Sequence, residues 1–196
     1  MSSAVRTRLP IRPGDHLCGL YFGERQRDDV LLPYLNDGLA RGDKCLVTIS
    51  NPQPEAVCGG IPHVERHLAT KQLEVRTSGD PPPVLGESSV DLPVDSWDAT
   101  ARSAQLAGYP FVRFGADAAC WVPQRPSRTD IHRYEAEVNR YASRHAQSIL
   151  CLYDLGRYGA GVVIDVLRVH PIILLSGLVL DNPYYRPPEE LGVTGG

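Results

Sequence analysis

The sequence lacks several features that mark whole classes of protein. No apolar run approaches the roughly 20 residues that a membrane-spanning helix requires, so we expect no membrane association. The N-terminus is polar and basic and has no apolar centre of the kind found in secretion signals, which predicts a cytoplasmic protein. A formal charge of -3 over 196 residues gives no electrostatic reason to expect direct binding to nucleic acid.

Motifs for catalysis are also missing. The sequence contains no G-x-S-x-G nucleophile elbow and no paired Cys-x-x-Cys. The five cysteines are odd in number and widely spaced, which argues against a disulfide framework. Cys45 and Cys151 lie inside apolar runs, where burial would raise the pKa of a thiol and disfavour a nucleophilic role. We therefore predict no catalytic residue, and a protein that is not an enzyme.

What is present is an alternation of apolar runs and amphipathic segments. This alternation predicts a three-layer α/β domain with a mostly parallel, RecA-like or Rossmann-like sheet and a C-terminal antiparallel hairpin. Pro33 predicts a kink or a late start in the first helix, and Ser96 is expected to cap the fourth. We expect strands at 16–22, 44–50, 73–77, 109–114, 149–153, 172–175 and 178–180. Helices are expected at 25–41, 52–57, 63–71 and 97–106, from a cap at Ser127 or Thr129 to about 145, and in the segment between Asp154 and His170.

The domain organisation follows from the same pattern. We predict a flexible arm over 1–12, a single domain over 13–191 and a short tail over 192–196. The segment 78–93 is rich in Gly, Pro, Ser and Asp, and it predicts a long loop that could move as a lid.

Polar residues at the ends of apolar runs are the first candidates for a site, because α/β sheets usually bind ligands at strand ends. Tyr153 and Asp154 end one such run; the alternative for Asp154 is that it caps the following turn. His170 precedes a proline, which favours an extended backbone and a fixed side-chain direction.

A second candidate begins at His16 and Cys18. Side chains at i and i+2 of a strand share a face, so the two could share a metal, with Cys151 and His170 completing four ligands. The alternative is that Cys18 packs in the core and His16 lines a polar small-molecule pocket. We favour the pocket and expect neither a resident cofactor nor a metal. His63 and His67 have the spacing of a helical metal pair, but they lack the glutamate of an HExxH motif and are expected to be solvated.

Three pieces of the chain resemble the MEDS domain, a prokaryotic sensory module named from methanogens, methylotrophs and a dichloromethane-responsive regulator. The resemblance implies a sensor of simple hydrocarbon derivatives, free-standing here, that works with histidine kinases, anti-sigma factors or helix-turn-helix regulators. The pieces are GDHLCGLYFGE (14–24), HRYEAEVNRYA (132–142) with ILCLYDLGRY (149–158), and RVHPIILLSGLVLDNPYYRPPEE (168–190).

The resemblance places Glu135 and Asn139 among the recurrent positions of the family. They are four residues apart on one helix face. Glu135 either reaches toward the sheet or ties the helix to a backbone turn. The string 115–121 departs from the family pattern, because its acidic residue is displaced and the segment is longer, which puts any ligand contact there in doubt.

The first strand–helix–strand unit is also similar to RecA-like ATPases of the circadian-clock type. Their phosphate loop is G-x-x-x-x-G-K-[ST], whereas 22–29 has one glycine, no lysine and an acidic Glu24. We therefore expect a RecA-like shape without ATP hydrolysis.

Taken together, the sequence predicts a non-catalytic sensor or adaptor that binds a small organic molecule and signals to a protein partner. A degenerate nucleotide-binding or metal-dependent enzyme, and an interaction module acting through 182–188, are the alternatives. Self-association is left open. The predicted ligand-binding residues are His16, Cys18, Tyr21, Glu135, Asn139, Cys151, Tyr153, Asp154 and His170.

Overall fold

The structure is a computed structural model that describes residues 9–50, 54–77, 94–120, 122, 127–144 and 146–191. The predicted mobile loop 78–93, the first eight residues of the predicted arm and the tail 192–196 lie outside the described residues. No helix in the described part of the chain is both long enough and apolar enough to cross a membrane.

The helices and strands alternate as predicted. The strands are β1 His16–Tyr21, β2 Lys44–Ile49, β3 Leu73–Thr77, β4 Val112–Asp117, β5 Gln147–Asp154, β6 Ile172–Leu175 and β7 Leu178–Asp181. The helices are α1 Gly23–Arg41, α2 Pro54–Gly59, α3 Val64–Ala69, α4 Val94–Leu106, α5 Arg128–Ala142, α6 Leu155–Tyr158 and α7 Gly161–Val169. Short 3-10 turns cover Ala118–Cys120 and Pro188–Leu191.

One seven-stranded sheet carries the fold, in the order β3-β2-β4-β5-β1-β6-β7. All pairs are parallel except β6 with β7, which form an antiparallel hairpin. Positive φ angles at Ser176 and Gly177 allow the tight turn between β6 and β7. The mostly parallel α/β sheet with its terminal antiparallel pair is thus confirmed, whereas a specifically RecA-like architecture stays a prediction.

The sheet is covered on both faces. One face packs against α1 through Leu17, Leu150 and Leu152, and the other packs against α5 and α7 through Ile149 and Cys151. Successive residues of β5 therefore point to opposite sides, as the pleat of a strand requires. The strand is buried on both sides, and this explains why its sequence is a continuous apolar run.

Three local predictions need correction. Pro33 neither delays nor divides α1, which begins at Gly23 and includes the proline. Ser96 does not precede α4, because that helix begins at Val94. The fourth strand continues through Gly115 to Asp117, since the glycine there allows Leu31 and Val47 to pack closely. Residues 115–117 are consequently strand rather than loop.

The end of the predicted arm packs onto the protein. Leu9 and Ile11 are buried in the core on the α1 side of the sheet. The backbone amide of Leu9 donates to the carboxylate of Asp37 in α1, 3.3 Å away. Residues 9–12 are therefore part of the folded structure.

Candidate functional site

The sheet and the two helices above it bring five of the predicted residues together. His16 begins β1, and Cys151 and Tyr153 come from the adjacent strand β5, with all three side chains on the α5–α7 side. Glu135 comes from the middle of α5 and His170 from the end of α7. We call His16, Glu135, Cys151, Tyr153 and His170 the histidine–glutamate cluster. All five are at most 2% exposed.

One carboxylate oxygen lies at the centre of this cluster. Oε2 of Glu135 is 3.1 Å from Nε2 of His16 and 3.3 Å from Nε2 of His170. The Sγ atom of Cys151 is 3.7 Å from the same oxygen and 3.3 Å from Nε2 of His16. The two imidazole rings are tilted against each other with centroids 4.3 Å apart. Four different donor atoms therefore converge in a volume that excludes bulk water.

Neighbouring groups fix the orientation of two of these side chains. The hydroxyl of Tyr153 donates to the other carboxylate oxygen of Glu135, Oε1. Nδ1 of His170 donates to the carbonyl of Val166, 2.8 Å away. Because that carbonyl can only accept, the proton of a neutral His170 lies on Nδ1, and its Nε2 carries a lone pair.

The cluster is not fully satisfied by its own members. Nε2 of His170 makes no hydrogen bond among the described residues, although a carboxylate oxygen is 3.3 Å away. Nδ1 of His16 likewise has no well-formed partner in the described part of the chain. Buried polar atoms are normally paired, so two unpaired nitrogens in one cluster require an explanation.

Burial and charge act in opposite directions on the cluster. Burial alone would raise the pKa of Glu135, but His170 and His16 outweigh it and hold that pKa below its ordinary value. Burial, helped by His170, lowers the pKa of His16. Burial and the Glu135 charge raise the pKa of the Cys151 thiol well above its ordinary value. The carboxylate is therefore the charged group around which the others are arranged.

Asn139 and Asn182 connect the cluster to its surroundings. The amide of Asn139 donates to the carbonyl of Val169 at 2.7 Å, so this residue, rather than Glu135, ties α5 to the backbone before β6. The amide of Asn182 donates to the carbonyls of Leu167 at 2.6 Å and His170 at 2.7 Å. The chain after the hairpin is thus anchored at the residue that also contributes a cluster imidazole.

The remaining predicted site residues lie outside the cluster. Cys18 shares a face with His16, as the alternation predicted, but it packs in the core and is not among the converging donor atoms. Tyr21 ends β1 and donates its hydroxyl to Asp117, 3.3 Å away. Asp154 accepts from the amide of Gly156 at 2.8 Å and caps α6, which is the structural alternative considered for it.

Sequence reasoning missed two buried charged groups. Asp117 lies at the carboxyl end of β4, where it accepts from the hydroxyls of Tyr21 and Ser50. It was missed because the fourth strand was expected to end at Gly115. Arg113 is fully buried on the α1 side between Asp37 and Asp43. In the sequence, the burial of Arg113 is indicated only by the charged residues that interrupt the apolar string VRFGAD.

The connection after β1 lacks the geometry of a phosphate loop. Only Phe22 separates β1 from α1, and residues 23–29, which were interpreted as a degenerate loop, are helical. Glu24 lies in the first helical turn, where its charge would repel a phosphate. In the displaced segment 115–121, Ala118–Cys120 is a 3-10 turn, and Trp121 lies outside the described residues.

Other features of the surface are separate from the predicted site. A cavity of about 570 Å³ lies between the β2–β3 edge and α4, and none of the nine predicted residues lines it. His67 pairs with Gln72, and His63 precedes α3 with a left-handed backbone and an exposed side chain. The solvated interpretation of that histidine pair therefore agrees with their positions.

Comparison with known proteins identifies two similarities. Residues 15–171 match the family model MEDS, described as the methanogen/methylotroph, DcmR sensory domain. The chain is also 23% identical over 176 residues to the transcriptional repressor DcmR of Methylorubrum extorquens, strain DSM 6343. That alignment covers 87% of this chain and 64% of the repressor, so the chain spans a little under two thirds of its relative. The matched family range contains every member of the histidine–glutamate cluster.

Proposed function

Because this chain belongs to the MEDS family of sensory domains, we propose that it is a non-catalytic sensor that binds a small organic molecule and signals to a partner protein. The family and the regulatory relative support a sensory role. The observation that carries the finer proposal is the histidine–glutamate cluster, a set of incompletely paired polar groups in an otherwise apolar layer. Such groups gain stability from any ligand that completes their hydrogen bonds.

The position of the cluster suggests how binding would reach the surface. Glu135 and His170 hold α5 and the end of α7 against the sheet, and Asn182 links His170 to the chain beyond the hairpin. A ligand that changes the spacing between α5 and α7 would therefore shift the segment 182–188, where Tyr184 is exposed. Signalling of this kind requires that the ligand bind one arrangement more tightly than the other.

The closed state of the cluster favours small ligands. Its five members are almost inaccessible, so a ligand must displace core side chains to reach them. One- and two-carbon compounds are the class that can do so with the least disruption of the core. We place the ligand against Glu135 and His170, and we assign the link to a partner to the 182–188 segment.

The experiment uses thermal unfolding with a panel of dichloromethane, methanol, formate and acetate. At least one compound is expected to raise the unfolding temperature of the wild-type protein and to slow amide exchange in α7 and the hairpin, because a ligand bound only to the folded state stabilises it. Glu135→Gln should abolish the shift. Glu137→Gln, the same change two residues away on the exposed side of α5, should preserve it. Identical shifts in both variants, or none in the wild type, would refute the proposal.

A further inference from the structure

We propose that the histidine–glutamate cluster is a closed binding site for a divalent first-row metal ion of the zinc class, with His16, Glu135, Cys151 and His170 as its four ligands. The ligand atoms are Nε2 of His16, Oε2 of Glu135, Sγ of Cys151 and Nε2 of His170. All four residues are buried, and their ligand atoms lie within 4.8 Å of one another. The inference concerns the same residues as the function proposed above and stands on their geometry alone; an ion bound by all four donors would compete with an organic ligand for Glu135 and His170.

The distances between donor atoms agree with the edges of a zinc tetrahedron. Zinc–ligand bonds of about 2.0–2.3 Å at tetrahedral angles place N and O about 3.4 Å apart and put sulfur about 3.6 Å from either. Glu135 Oε2 is 3.1 Å from His16 Nε2, 3.3 Å from His170 Nε2 and 3.7 Å from Cys151 Sγ. His16 Nε2 and Cys151 Sγ are 3.3 Å apart. Four of the six donor–donor distances therefore lie within a few tenths of an ångström of the tetrahedral edges, and all six are within 4.8 Å.

The direction of the His170 ring supports coordination rather than a simple ion pair. Its Nδ1 proton is used by the carbonyl of Val166, so the lone pair of a neutral ring lies on Nε2 and points into the cluster. That nitrogen has no hydrogen bond among the described residues. A metal-bound histidine commonly donates its second nitrogen to a backbone carbonyl in this way, which fixes the ring and leaves one lone pair for the ion.

Hydrogen bonds from neighbouring side chains also orient Glu135 within the cluster. Its Oε1 accepts from the hydroxyl of Tyr153, which leaves Oε2 as the atom facing the other donors. Asn139 lies beside His16, and its amide donates to the carbonyls of Glu135 and Val169. Partners of this kind orient metal ligands and tune their affinity.

Charge balance favours an ion in this volume. A divalent cation, one carboxylate and one thiolate sum to zero, and a bound cation deprotonates a coordinating thiol outright. Imidazole and thiolate together favour zinc or cobalt over calcium or magnesium, which prefer oxygen ligands. Four protein ligands with almost no exposure describe a closed, structural type of site rather than one with an open catalytic position. The competing arrangement is an imidazolium at His170 paired with Glu135 and no metal.

The test measures zinc retained by the full chain after incubation with zinc and dialysis, and the absorption of the cobalt-substituted protein. The wild-type protein should retain one equivalent of zinc and show a cobalt–thiolate charge-transfer band. Cys151→Ser should lose the band and most of the zinc. Cys18→Ser is the matched control, because Cys18 is the register partner of Cys151 on the neighbouring strand and is not in the ligand set; it should keep both.

Two further variants make the result decisive. Glu135→Gln preserves the size of the side chain and should abolish zinc retention, whereas Glu137→Gln should not. Tyr153→Phe should weaken zinc affinity by roughly 10–100-fold, the range typical for loss of an outer-layer partner. Circular dichroism of each variant shows whether it is folded, and zinc is compared only among folded variants.

Retention of less than one tenth of an equivalent by the wild-type protein would overturn the metal assignment, and so would equal retention by Cys151→Ser and Cys18→Ser. Failure of the organic panel with normal zinc binding would count against sensing but leave the metal site in place. Stabilisation by the panel without zinc binding would do the opposite. The two proposals can therefore fail separately.

Discussion

The two faces of the sheet each bury a polar cluster, and the two clusters differ in how completely they are paired. On the α1 side, Arg113 donates from Nε to Asp43 at 2.8 Å and from one terminal nitrogen to Asp37 at 2.7 Å. Its other terminal nitrogen donates to the carbonyl of Tyr34 at 3.1 Å. We call Arg113, Asp37, Asp43 and Tyr34 the arginine network. The described residues leave none of its charged atoms without a partner.

The histidine–glutamate cluster on the α5–α7 side leaves two ring nitrogens without a hydrogen bond among the described residues, although one of them, Nε2 of His170, lies 3.3 Å from Oε2 of Glu135. Both clusters are buried, so both incur the cost of removing charge from water. A network in which every donor is hydrogen-bonded offsets this cost in the unliganded protein. An incompletely bonded cluster reaches its lowest free energy only when a ligand binds. Burial alone therefore does not separate the two clusters, and the difference between them lies in how their atoms are paired.

The largest expected effect comes from breaking the arginine network. Arg113→Ala leaves the buried Asp43 without its charged hydrogen-bond donor and leaves Asp37 with only Leu9 and Arg41, and it should lower the free energy of unfolding by about 3–5 kcal/mol. Urea unfolding followed by tryptophan fluorescence measures this loss. A decrease below about 1 kcal/mol would mean that the arginine network does not hold α1 to the sheet, since surface pairs cost no more than that.

Adding a methyl group beside Arg113 should have a smaller effect on the free energy of unfolding. Alanine usually stabilises a helix relative to glycine, but a Cβ at Gly38 would lie 2.6 Å from Cδ of Arg113. Gly38→Ala should therefore destabilise the protein by about 1–3 kcal/mol. Gly161→Ala is the control, because no atom lies within 4 Å of its added Cβ, and it should be neutral or stabilising. A stabilising Gly38→Ala would contradict the close approach of α1 to Arg113.

Removing a hydrogen bond from the histidine–glutamate cluster should lower the free energy of unfolding by less, when no metal is bound. Tyr153→Phe removes the donor to Oε1 of Glu135, and loss of one partner of a buried carboxylate should cost on the order of 1–2 kcal/mol after treatment with a chelator. Tyr158→Phe, which removes a half-buried hydroxyl bonded to the carbonyl of Val122, is the control and should cost less. Denaturant unfolding compares the two. An equal loss would show that Glu135 does not depend on Tyr153.

The smallest expected effect lies at the start of α5. Ser127 and Asp130 form a capping box, and Ser127→Ala should cost about 1 kcal/mol at neutral pH. The hydrogen bond from Ser127 lowers the pKa of Asp130 below its ordinary value of 3.8. A lowered carboxyl pKa contributes stability above the ordinary pKa that is lost as pH falls through the folded-state pKa. The difference between wild type and variant should therefore shrink below pH 3.8, and a constant difference would exclude this coupling.

The sequence predicted the histidine–glutamate cluster better than the arginine network. His16, Cys18, Cys151 and His170 were weighed as joint metal ligands and a metal was disfavoured, while Glu135 was expected either to reach toward the sheet or to tie the helix to a backbone turn. All of these residues except Cys18 meet in one cluster. Local patterns sufficed because alternation in β1 and helical spacing in α5 fix the direction of each side chain. They could not tell that Glu135, rather than Cys18, comes within reach of the histidines, since that depends on how α5 crosses the sheet.

The arginine network escaped prediction because its partners are remote in sequence. Asp37 lies in α1 and Asp43 in the turn after it, about 70 residues before Arg113. Nothing in the local pattern distinguishes these acids from ordinary surface residues of a helix end. Asp117 was missed for a different reason, because Gly115 suggested the end of a strand where it instead permits close packing with Leu31.

The central claim is that the incompletely paired cluster is a binding centre and the fully paired network is not. The most direct measurement is the change in unfolding free energy caused by zinc in wild type, Glu135→Gln, Glu137→Gln and Gly38→Ala. Free zinc at 100 times its dissociation constant should add about 2.7 kcal/mol to each protein that keeps the site. We predict this increase in wild type, Glu137→Gln and Gly38→Ala, and none in Glu135→Gln. An equal increase in all four proteins, or no increase in any, would contradict the claim.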